Sequence, residues 1–284
     1  MSDFDFESTR RTLATEQGVI HYHEAGDGPA LLMIHGSGPG VSGWANFEGN
    51  LPFFAAHFRC LIIDLPGYGG SDPVEGNPVV ECVSACIRLL DGLGIDKSHL
   101  IGNSLGGIVG GYLAAQHSER VNRYVTIGGL GMNLFSPFPC EGLNLLTNFV
   151  EDPTREKIIA WLRSMVFDQA MVTEELINTR MERALEAKTL ATSRLMYSRE
   201  TQQVMAAAFR GPDATARIAH LGSITVPTLV TWGRDDRVTP VDMALLPMRL
   251  IPNAELHIFP NCGHWAMIER KAEFESVTLS FLQR

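Results

Sequence analysis

The sequence predicts an α/β fold in which a mainly parallel sheet is flanked by helices and carries an inserted helical segment. Short apolar runs alternate with helix-like stretches in the first half of the 284 residues and again in the last quarter. Between about 131 and 213 this strand rhythm stops and the pattern is mostly helical. Alternating strands and helices indicate parallel strands with helices on both faces. We therefore expect a core formed by 1–130 and 214–284, and a helical cap formed by 131–213.

The spacing of apolar residues predicts each element in turn. An N-terminal hairpin is predicted from 12–15 and 19–23, which flank Gly18. Strands are predicted at 31–34, 60–63, 100–101, 124–127, 228–232 and 255–259. Helices are predicted within 44–57 and at 78–93, 108–117, 154–166, 173–187, 190–209, 240–250 and 266–282. The cap would lie over the carboxyl edge of the sheet, which is where open α/β sheets bind ligands.

Composition and charge narrow the function classes. A hydrophobic fraction of 45% supports a sizeable core, and a net charge of −9 disfavours binding to nucleic acid or to anionic membranes. The five cysteines are odd in number and lack metal-type spacing, as expected for reduced, buried thiols in a cytoplasmic protein. Segment 1–11 is polar and acidic without an apolar signal core, and no stretch is long enough to span a bilayer.

The sequence Gly102-Asn103-Ser104-Leu105-Gly106-Gly107 lies between a predicted strand and a predicted helix. A serine between glycines at such a turn is the nucleophile-elbow pattern, in which the hydroxyl projects above the sheet. The helix that follows directs backbone N–H groups and a partial positive charge toward that hydroxyl. A glycine-rich turn with an incidental serine is the alternative at this point.

A serine hydroxyl is a poor nucleophile unless a base removes its proton. Asp236 and His264 each follow a late strand, so their loops meet the Ser104 loop at the same sheet edge. The order Ser104, Asp236, His264 is that of a hydrolase triad, in which Asp236 orients His264 and His264 accepts the serine proton. Asp235 is the second candidate for the acid. A loop histidine and two helix-capping aspartates would be the structural alternative, which the coincidence of three residue types at three strand ends disfavours.

A site for acyl transfer also needs backbone donors for an oxyanion. The segment 35–40, His-Gly-Ser-Gly-Pro-Gly, follows the predicted strand 31–34 and is suited to supply one N–H, while Leu105 supplies the other.

The predicted cap contains six of the 11 methionines, which favours an apolar substrate pocket or an ordinary helix-packing core. Arg180 lies in a glutamate-rich predicted helix, where most arginines are solvated or paired with glutamates four residues away.

Taken together, these motifs resemble those of the meta-cleavage-product hydrolases, the C–C bond hydrolases of bacterial aromatic catabolism within the α/β-hydrolase fold. The resemblance extends from about residue 15 to the C-terminus. It rests on the segments 35–40, 43–46, 102–107, 173–180, 232–237 and 262–265. Ordinary esterases share the elbow and the triad order, but they would not be expected to share the cap arginine motif or the tryptophan after the histidine.

The resemblance implies roles for individual residues. Ser104, Asp236 and His264 match the triad, and Ser37 and Leu105 match the oxyanion-hole positions. The positions that would contact substrate are Gly38, Asn46, Asn103, Arg180 and Trp265, of which the last three would hold its carboxylate and 2-oxo end. A cap position that is often phenylalanine in relatives is Met165 here.

The substrate implied by the resemblance is a 2-hydroxy-6-oxohexa-2,4-dienoate. Its ketonised form would be cleaved between C5 and C6 to give 2-hydroxypenta-2,4-dienoate and a carboxylic acid, without a metal or organic cofactor. Relatives are commonly homodimers or larger homo-oligomers.

Two alternatives stay open at this point: a carboxylesterase with the same triad, and a catalytically silent ligand-binding protein of the same fold. The alkyl or aryl nature of the C6 group is also open. Haloalkane dehalogenases and epoxide hydrolases would need an aspartate at Ser104.

Overall fold

A computed structural model describes residues 4–284; residues 1–3, the start of the polar segment 1–11, lie outside the described residues. The strands are β1 (Arg10–Thr15), β2 (Gly18–Ala25), β3 (Ala30–Ile34), β4 (Arg59–Ile63), β5 (Ser98–Asn103), β6 (Val121–Ile127), β7 (Thr228–Gly233) and β8 (Ala254–Phe259). The α-helices are α1 (Phe6–Thr9), α2 (Gly43–Phe47), α3 (Leu51–Ala55), α4 (Pro78–Gly92), α5 (Leu105–Gln116), α6 (Glu141–Glu151), α7 (Arg155–Met165), α8 (Glu174–Ala184), α9 (Ala187–Tyr197), α10 (Arg199–Arg210), α11 (Leu245–Leu250), α12 (Ala266–Glu269) and α13 (Lys271–Leu282).

The strands form one sheet in the order β1-β2-β4-β3-β5-β6-β7-β8. β2 pairs antiparallel with both β1 and β4, and the pairs from β4 to β8 are parallel. The predicted α/β fold with a mainly parallel sheet is therefore confirmed. The chain leaves β3 toward β4 and then returns to form β5 on the other side of β3. This reversal opens a crevice at the carboxyl ends of β3 and β5, where such sheets bind ligands.

Several helices predicted as single elements are interrupted. The predicted helix 190–209 is two helices, α9 and α10, which meet at Ser198, whose hydroxyl caps α10 by accepting from the Thr201 N–H. The predicted helix 266–282 likewise breaks at Arg270 into α12 and α13. Segment 44–57 forms two short helices, with a proline in the first turn of α3. Apolar periodicity continues through these breaks, which explains why it predicted uninterrupted helices.

The helices α6 to α10 all lie between β6 and β7 in the sequence. In the core, apolar side chains on both faces of the sheet are fully buried, including Leu31 and Leu32, which alternate between two hydrophobic clusters. On α4, Cys82 and Cys86 are buried on the same face, and all five cysteines are free thiols. None of the helices within 4–284 has the length and hydropathy needed to cross a bilayer.

Two glycines allow α5 to approach the sheet closely. A Cβ added to Gly102 would lie 2.1 Å from the carbonyl oxygen of Gly106, and one added to Gly106 would lie 2.0 Å from the carbonyl oxygen of Ile34. Real side chains do not tolerate such distances from backbone atoms. The turn at the end of β5 is thus pressed against the end of β3, and only glycine fits at both contacts.

We predict that Gly106→Ala lowers the free energy of unfolding by about 3 kcal/mol or more, because the backbone of Ile34 must move to admit the methyl group. Urea unfolding followed by circular dichroism measures this loss. The matched control is Gly222→Ala, where an added Cβ would meet nothing within 4 Å. We expect that variant to stay within about 0.5 kcal/mol of the parent. Equal stabilities for the two variants would contradict the close approach.

Candidate active site

Ser104 occupies the turn between β5 and α5 in a strained backbone conformation. Its φ is 55° and its ψ is −113°, a region that residues with a side chain rarely adopt. Its N–H donates to the carbonyl oxygen of Ile127 at 2.9 Å, which fixes the turn to the neighbouring strand β6. The residue caps the N-terminus of a 12-residue helix. The positive end of that helix dipole favours negative charge beside the serine hydroxyl.

Asp236 and His264 form a buried hydrogen-bonded pair. The Nδ1–H of His264 donates to Oδ2 of Asp236 at 2.7 Å, and both side chains are almost inaccessible to solvent. The other carboxylate oxygen, Oδ1, accepts from the N–H groups of Val238 and Thr239 at 2.7 and 2.9 Å. Because a carboxylate only accepts, this contact places the imidazole proton on Nδ1 and leaves Nε2 free to accept a proton.

Thr239 belongs to this network and was missed in the sequence analysis. Its hydroxyl donates to Oδ2 of Asp236 at 2.8 Å and lies 3.2 Å from Nδ1 of His264. The available signal was a threonine three residues after the candidate aspartate, a spacing at which the aspartate side chain accepts from the backbone of the following turn. By contrast, Asp235 lies beside Arg234 and accepts from the Cys262 N–H, so it does not contact His264.

Ser104, Thr239 and His264 line one cavity of about 410 Å³. Within residues 4–284 the Ser104 hydroxyl has no hydrogen-bond partner. Catalytic hydrogen bonds are often long before substrate binds. The fold thus brings the three predicted triad residues to one sheet edge, with His264 and Asp236 already bonded to each other.

The loop after β3 is shaped by His35 and lies beside Ser104. Nε2 of the His35 ring accepts from the Leu65 N–H at 2.9 Å, and its Nδ1–H donates to the carbonyl of Gly36. Burial lowers the pKa of this imidazole, so it is a neutral structural group. A Cβ on Gly36 would lie 3.3 Å from Cβ of Ser104. The N–H groups of Ser37 and Leu105 have no backbone or side-chain acceptor within 4–284, as an anion site at a helix start requires.

A second residue absent from the sequence-based prediction is Tyr197, at the end of α9. Its hydroxyl forms a hydrogen bond with the hydroxyl of Ser37. Burial raises the pKa of this phenol, so it stays protonated. The contact joins the helical segment between β6 and β7 to the loop after β3. Its partners are 160 residues apart in the chain, which is why no local pattern indicated it.

Arg180, on α8, is a buried cation that forms no ion pair within 4–284. Arg180 is 5% exposed, and its guanidinium makes no hydrogen bond or ion pair within 4–284. The charge lies over the ring of Trp265, 5.4 Å from the ring centre. Burial, reinforced by the nearby charge of Arg183 and opposed by the Glu48 carboxylate, lowers its pKa to about 10, so the guanidinium stays charged at pH 7. The expectation that such an arginine would be solvated or paired with helix glutamates is wrong.

Two asparagines and Gly38 complete the polar part of the cavity wall. Oδ1 of Asn46 accepts from the Gly36 N–H at 3.1 Å, while its buried Nδ2 has no partner. Nδ2 of Asn103 donates to the Ile127 carbonyl at 3.1 Å. Gly38 faces Trp161, where an added Cβ would lie 2.6 Å from the indole ring. Nine of the site positions predicted from the sequence line the same cavity: Ser37, Gly38, Asn46, Asn103, Ser104, Leu105, Arg180, His264 and Trp265.

The loop that carries His264 is held against α7 and the segment that follows it. The His264 N–H donates to the carbonyl of Met165 at 2.7 Å. The carboxylate of Glu269 accepts from the N–H of Gly263 at 2.7 Å and from that of Phe167 at 2.7 Å. Met165, the position that departs from the family pattern, lines the cavity through this contact region.

We predict that Asp236→Asn slows phosphonylation of Ser104 by a fluorophosphonate by about 10³–10⁴-fold, because the amide no longer holds His264 in the productive tautomer. Intact-protein mass spectrometry measures the rate of labelling. The matched control is the adjacent Asp235→Asn, which we expect to react at nearly the parent rate. If Asp235→Asn were the slow variant, the pairing of Asp236 with His264 would not be the functional one.

The sequence matches the α/β-hydrolase-fold family over residues 29–271. It is 39% identical to a 2-hydroxy-6-oxo-6-phenylhexa-2,4-dienoate hydrolase of Burkholderia cepacia, with 97% of each chain covered. It is also 39% identical to a 2-hydroxy-6-oxononadienedioate/2-hydroxy-6-oxononatrienedioate hydrolase of Burkholderia vietnamiensis, with 93% of this chain and 91% of the relative covered.

A solved structure of similar shape is the meta-cleavage product hydrolase CumD of Pseudomonas fluorescens IP01. It superimposes with a TM-score of 0.86 at 29% identity, with 98% of each chain covered. Similarity therefore extends over nearly the whole chain, including the helices between β6 and β7. On these matches, the chain belongs to the meta-cleavage-product hydrolases of the α/β-hydrolase fold.

Proposed function

We propose that the protein hydrolyses the C5–C6 bond of a 2-hydroxy-6-oxohexa-2,4-dienoate, giving 2-hydroxypenta-2,4-dienoate and a carboxylic acid. The single observation that carries this proposal is the buried, unpaired guanidinium of Arg180 in the cavity that also contains Ser104. A buried charge without a partner is strongly destabilising. A ligand carboxylate would supply the missing partner, with the bidentate geometry that guanidinium groups favour.

The neutral-ester alternative is disfavoured by the same observation. A carboxylesterase acting on uncharged substrates gains nothing from a buried cation in its substrate cavity. The relatives at 39% identity are named as hydrolases of dienoates and dienedioates, all of which carry a carboxylate next to the 2-hydroxy group. The negative charge of a dienoate therefore complements the positive charge of Arg180, whereas an uncharged ester offers no such partner.

The reaction needs two proton movements before and during bond cleavage. The 2-hydroxy proton leaves oxygen while C5 gains a proton, which converts the dienol into a 2,6-diketone with one remaining C=C bond. Ser104 then adds to C6, and its proton passes to Nε2 of His264. Collapse of the resulting oxyanion breaks the C5–C6 bond, and its electron pair moves through the C3=C4 bond onto the 2-oxo oxygen. Protonation releases hydroxypentadienoate, and water hydrolyses the acyl-enzyme.

The surrounding groups fit these charge changes. The free amides of Ser37 and Leu105 would stabilise the oxyanion at C6. Arg180 and the unpaired Nδ2 of Asn46 would hold the carboxylate and 2-oxo oxygens, where negative charge collects as C5 departs. Trp265 packs against the guanidinium and limits its orientation. A fixed carboxylate orients C6 toward Ser104, which lowers the entropic part of the barrier.

We further propose that 131–213 acts as a cap and that the enzyme works in the cytoplasm as a homo-oligomer. The cap supplies Arg180 from α8 and Tyr197 from α9, and the His264 N–H bonds to Met165 of α7. Closing these helices over the sheet edge would exclude bulk water from the dienolate. Five free, buried thiols agree with a reducing compartment.

We predict that Arg180→Met lowers kcat/KM for a 2-hydroxy-6-oxohexa-2,4-dienoate by about 100-fold, because the carboxylate loses a charge-assisted hydrogen bond in a buried site. Hydrolysis of p-nitrophenyl acetate, which has no carboxylate, should change less than about fivefold. Loss of the yellow dienolate absorbance and release of p-nitrophenol measure the two reactions. Arg163→Ala, at an exposed arginine on α7, serves as control. Equal losses on both substrates would contradict the role assigned to Arg180.

We predict that Tyr197→Phe lowers kcat for the dienoate by about threefold to tenfold and leaves KM nearly unchanged, because the Ser37 loop loses one hydrogen bond of about 1 kcal/mol. Steady-state kinetics separates the two constants. The control is Tyr112→Phe, since Tyr112 stacks on His220 away from the cavity. An unchanged kcat would show that the Tyr197 contact does not position the oxyanion loop.

A further inference from the structure

The two classes of relatives differ in the group attached to C6. One class is named for a 6-phenyl dienoate, and the other for dienedioates, which carry a second carboxylate at the far end of the chain. Both relatives are 39% identical to this chain, so overall similarity does not choose between them. The charges that line the cavity do distinguish them, provided that the proposed dienoate hydrolysis is correct.

The cavity contains one cationic side chain. Among the described residues that line it, Arg180 is the only lysine or arginine. If Arg180 holds the carboxylate next to the 2-hydroxy group, a second carboxylate would be buried with no cation to pair with. Burying an unpaired carboxylate costs about several kcal/mol. The site therefore matches a monoanionic substrate.

The two polar side chains at the start of α10 do not replace the missing cation. Nε2 of Gln202 donates to the carbonyl of Met196 at 3.2 Å, which fixes the amide and leaves its buried Oε1 without a partner. This oxygen is an acceptor and would repel a carboxylate. The Thr201 hydroxyl donates to the carbonyl of Leu195 at 3.1 Å, so its proton is already used.

Three cap arginines close in sequence to the wall residues of α9 and α10 have partners elsewhere. Nε of Arg194 donates to the Val150 carbonyl at 3.3 Å, and Arg199 contacts Asn148. Arg210 donates to the carbonyl of Phe138, a residue whose ring lines the cavity. Arg210 is exposed and bonded to a residue of the cavity wall, so its reorientation could change the charge of the wall.

The rest of the wall is apolar and roomy. Side chains from α6, α10 and the segments after β6 and β7 form what we call the apolar wall: Phe138, Leu143, Leu146, Met205, Phe209 and Met243. The volume of about 410 Å³ lies in the range of sites for drug-sized ligands, which a dienoate unit alone would leave partly empty. Leu195 and Met205, 60% and 37% exposed, continue this apolar surface to solvent. Methionine side chains adapt to bulky apolar groups.

We propose that the enzyme is selective for dienoates whose C6 substituent is large, uncharged and apolar, of the aryl class, and that it discriminates against dienedioates. The dienoate carboxylate binds at Arg180 and the C6 substituent packs against the apolar wall. Selectivity arises because the aryl group is transferred from water to an apolar surface, whereas the second carboxylate of a dienedioate loses its hydration without gaining a partner.

The test compares kcat/KM for three substrates at one pH and ionic strength: the 6-phenyl dienoate, the 6-methyl dienoate and 2-hydroxy-6-oxononadienedioate. We expect the phenyl substrate to exceed the dienedioate by about 50-fold or more and the methyl substrate by about tenfold. A dienedioate turned over as fast as the phenyl substrate would overturn the charge selectivity. A methyl substrate turned over faster than the phenyl one would overturn the size selectivity.

Failure of the proposed function gives a different result. In that case none of the three dienoates is cleaved, while Ser104 still reacts with a fluorophosphonate and p-nitrophenyl acetate is still hydrolysed. The variant Arg210→Gln tests whether Arg210 pairs with the second carboxylate of a dienedioate. Should the parent turn over the dienedioate and Arg210→Gln lose that activity alone, Arg210 reaches the substrate and the monoanionic assignment is wrong.

A gain of charge tests the location of the C6 group. Met205→Lys places a cation on the apolar wall, and Met205→Gln is its neutral control of similar length. We expect Met205→Lys to raise kcat/KM for the dienedioate by about tenfold over Met205→Gln and to lower that for the phenyl substrate. Equal values for both variants on both substrates would contradict packing of the C6 group against this wall.

Discussion

The close approach of α5 to the ends of β3 and β5 is the constraint on which the site depends. Gly102 and Gly106 permit backbone contacts that any side chain would prevent. This approach holds Ser104 in a strained conformation and places the helix N-terminus beside the loop that contains Ser37. The surrounding sheet stabilises the strained turn, because the Ser104 N–H donates to the carbonyl of Ile127 in the neighbouring strand.

The helical segment between β6 and β7 adds the charge that distinguishes this site from a plain serine hydrolase. α8 delivers Arg180 to the cavity, and no carboxylate within 4–284 forms an ion pair with it. Such an arrangement lowers the stability of the unliganded protein and raises its affinity for a carboxylate, because the ligand completes a pair that the protein leaves open. The same segment contacts the loops of Ser37 and His264, so substrate binding and the geometry of the reacting groups are linked.

Much of this could be predicted from the sequence, because the relevant signals are local. Strand-to-loop transitions and the order Ser104, Asp236, His264 indicated one sheet edge, and the parallel order of the strands agrees with that prediction. The hydrogen bond between Tyr197 and Ser37 could not be predicted, since it joins segments far apart in the chain. The unpaired state of Arg180 was also hidden, because a glutamate-rich helix suggests partners that the fold directs elsewhere. Helix breaks at Ser198 and Arg270 were missed because apolar spacing continues through them.

The central claim is that Ser104 chemistry in this cavity breaks a carbon–carbon bond. Incubation of the purified protein with the 6-phenyl dienoate in H₂¹⁸O, followed by mass spectrometry of the products, tests this most directly. We expect equal amounts of 2-hydroxypenta-2,4-dienoate and benzoate, with one ¹⁸O in the benzoate from hydrolysis of the acyl-enzyme. The Ser104→Ala variant should form no benzoate. Unchanged dienoate, in the presence of a Ser104 that reacts with a fluorophosphonate, would contradict the central claim.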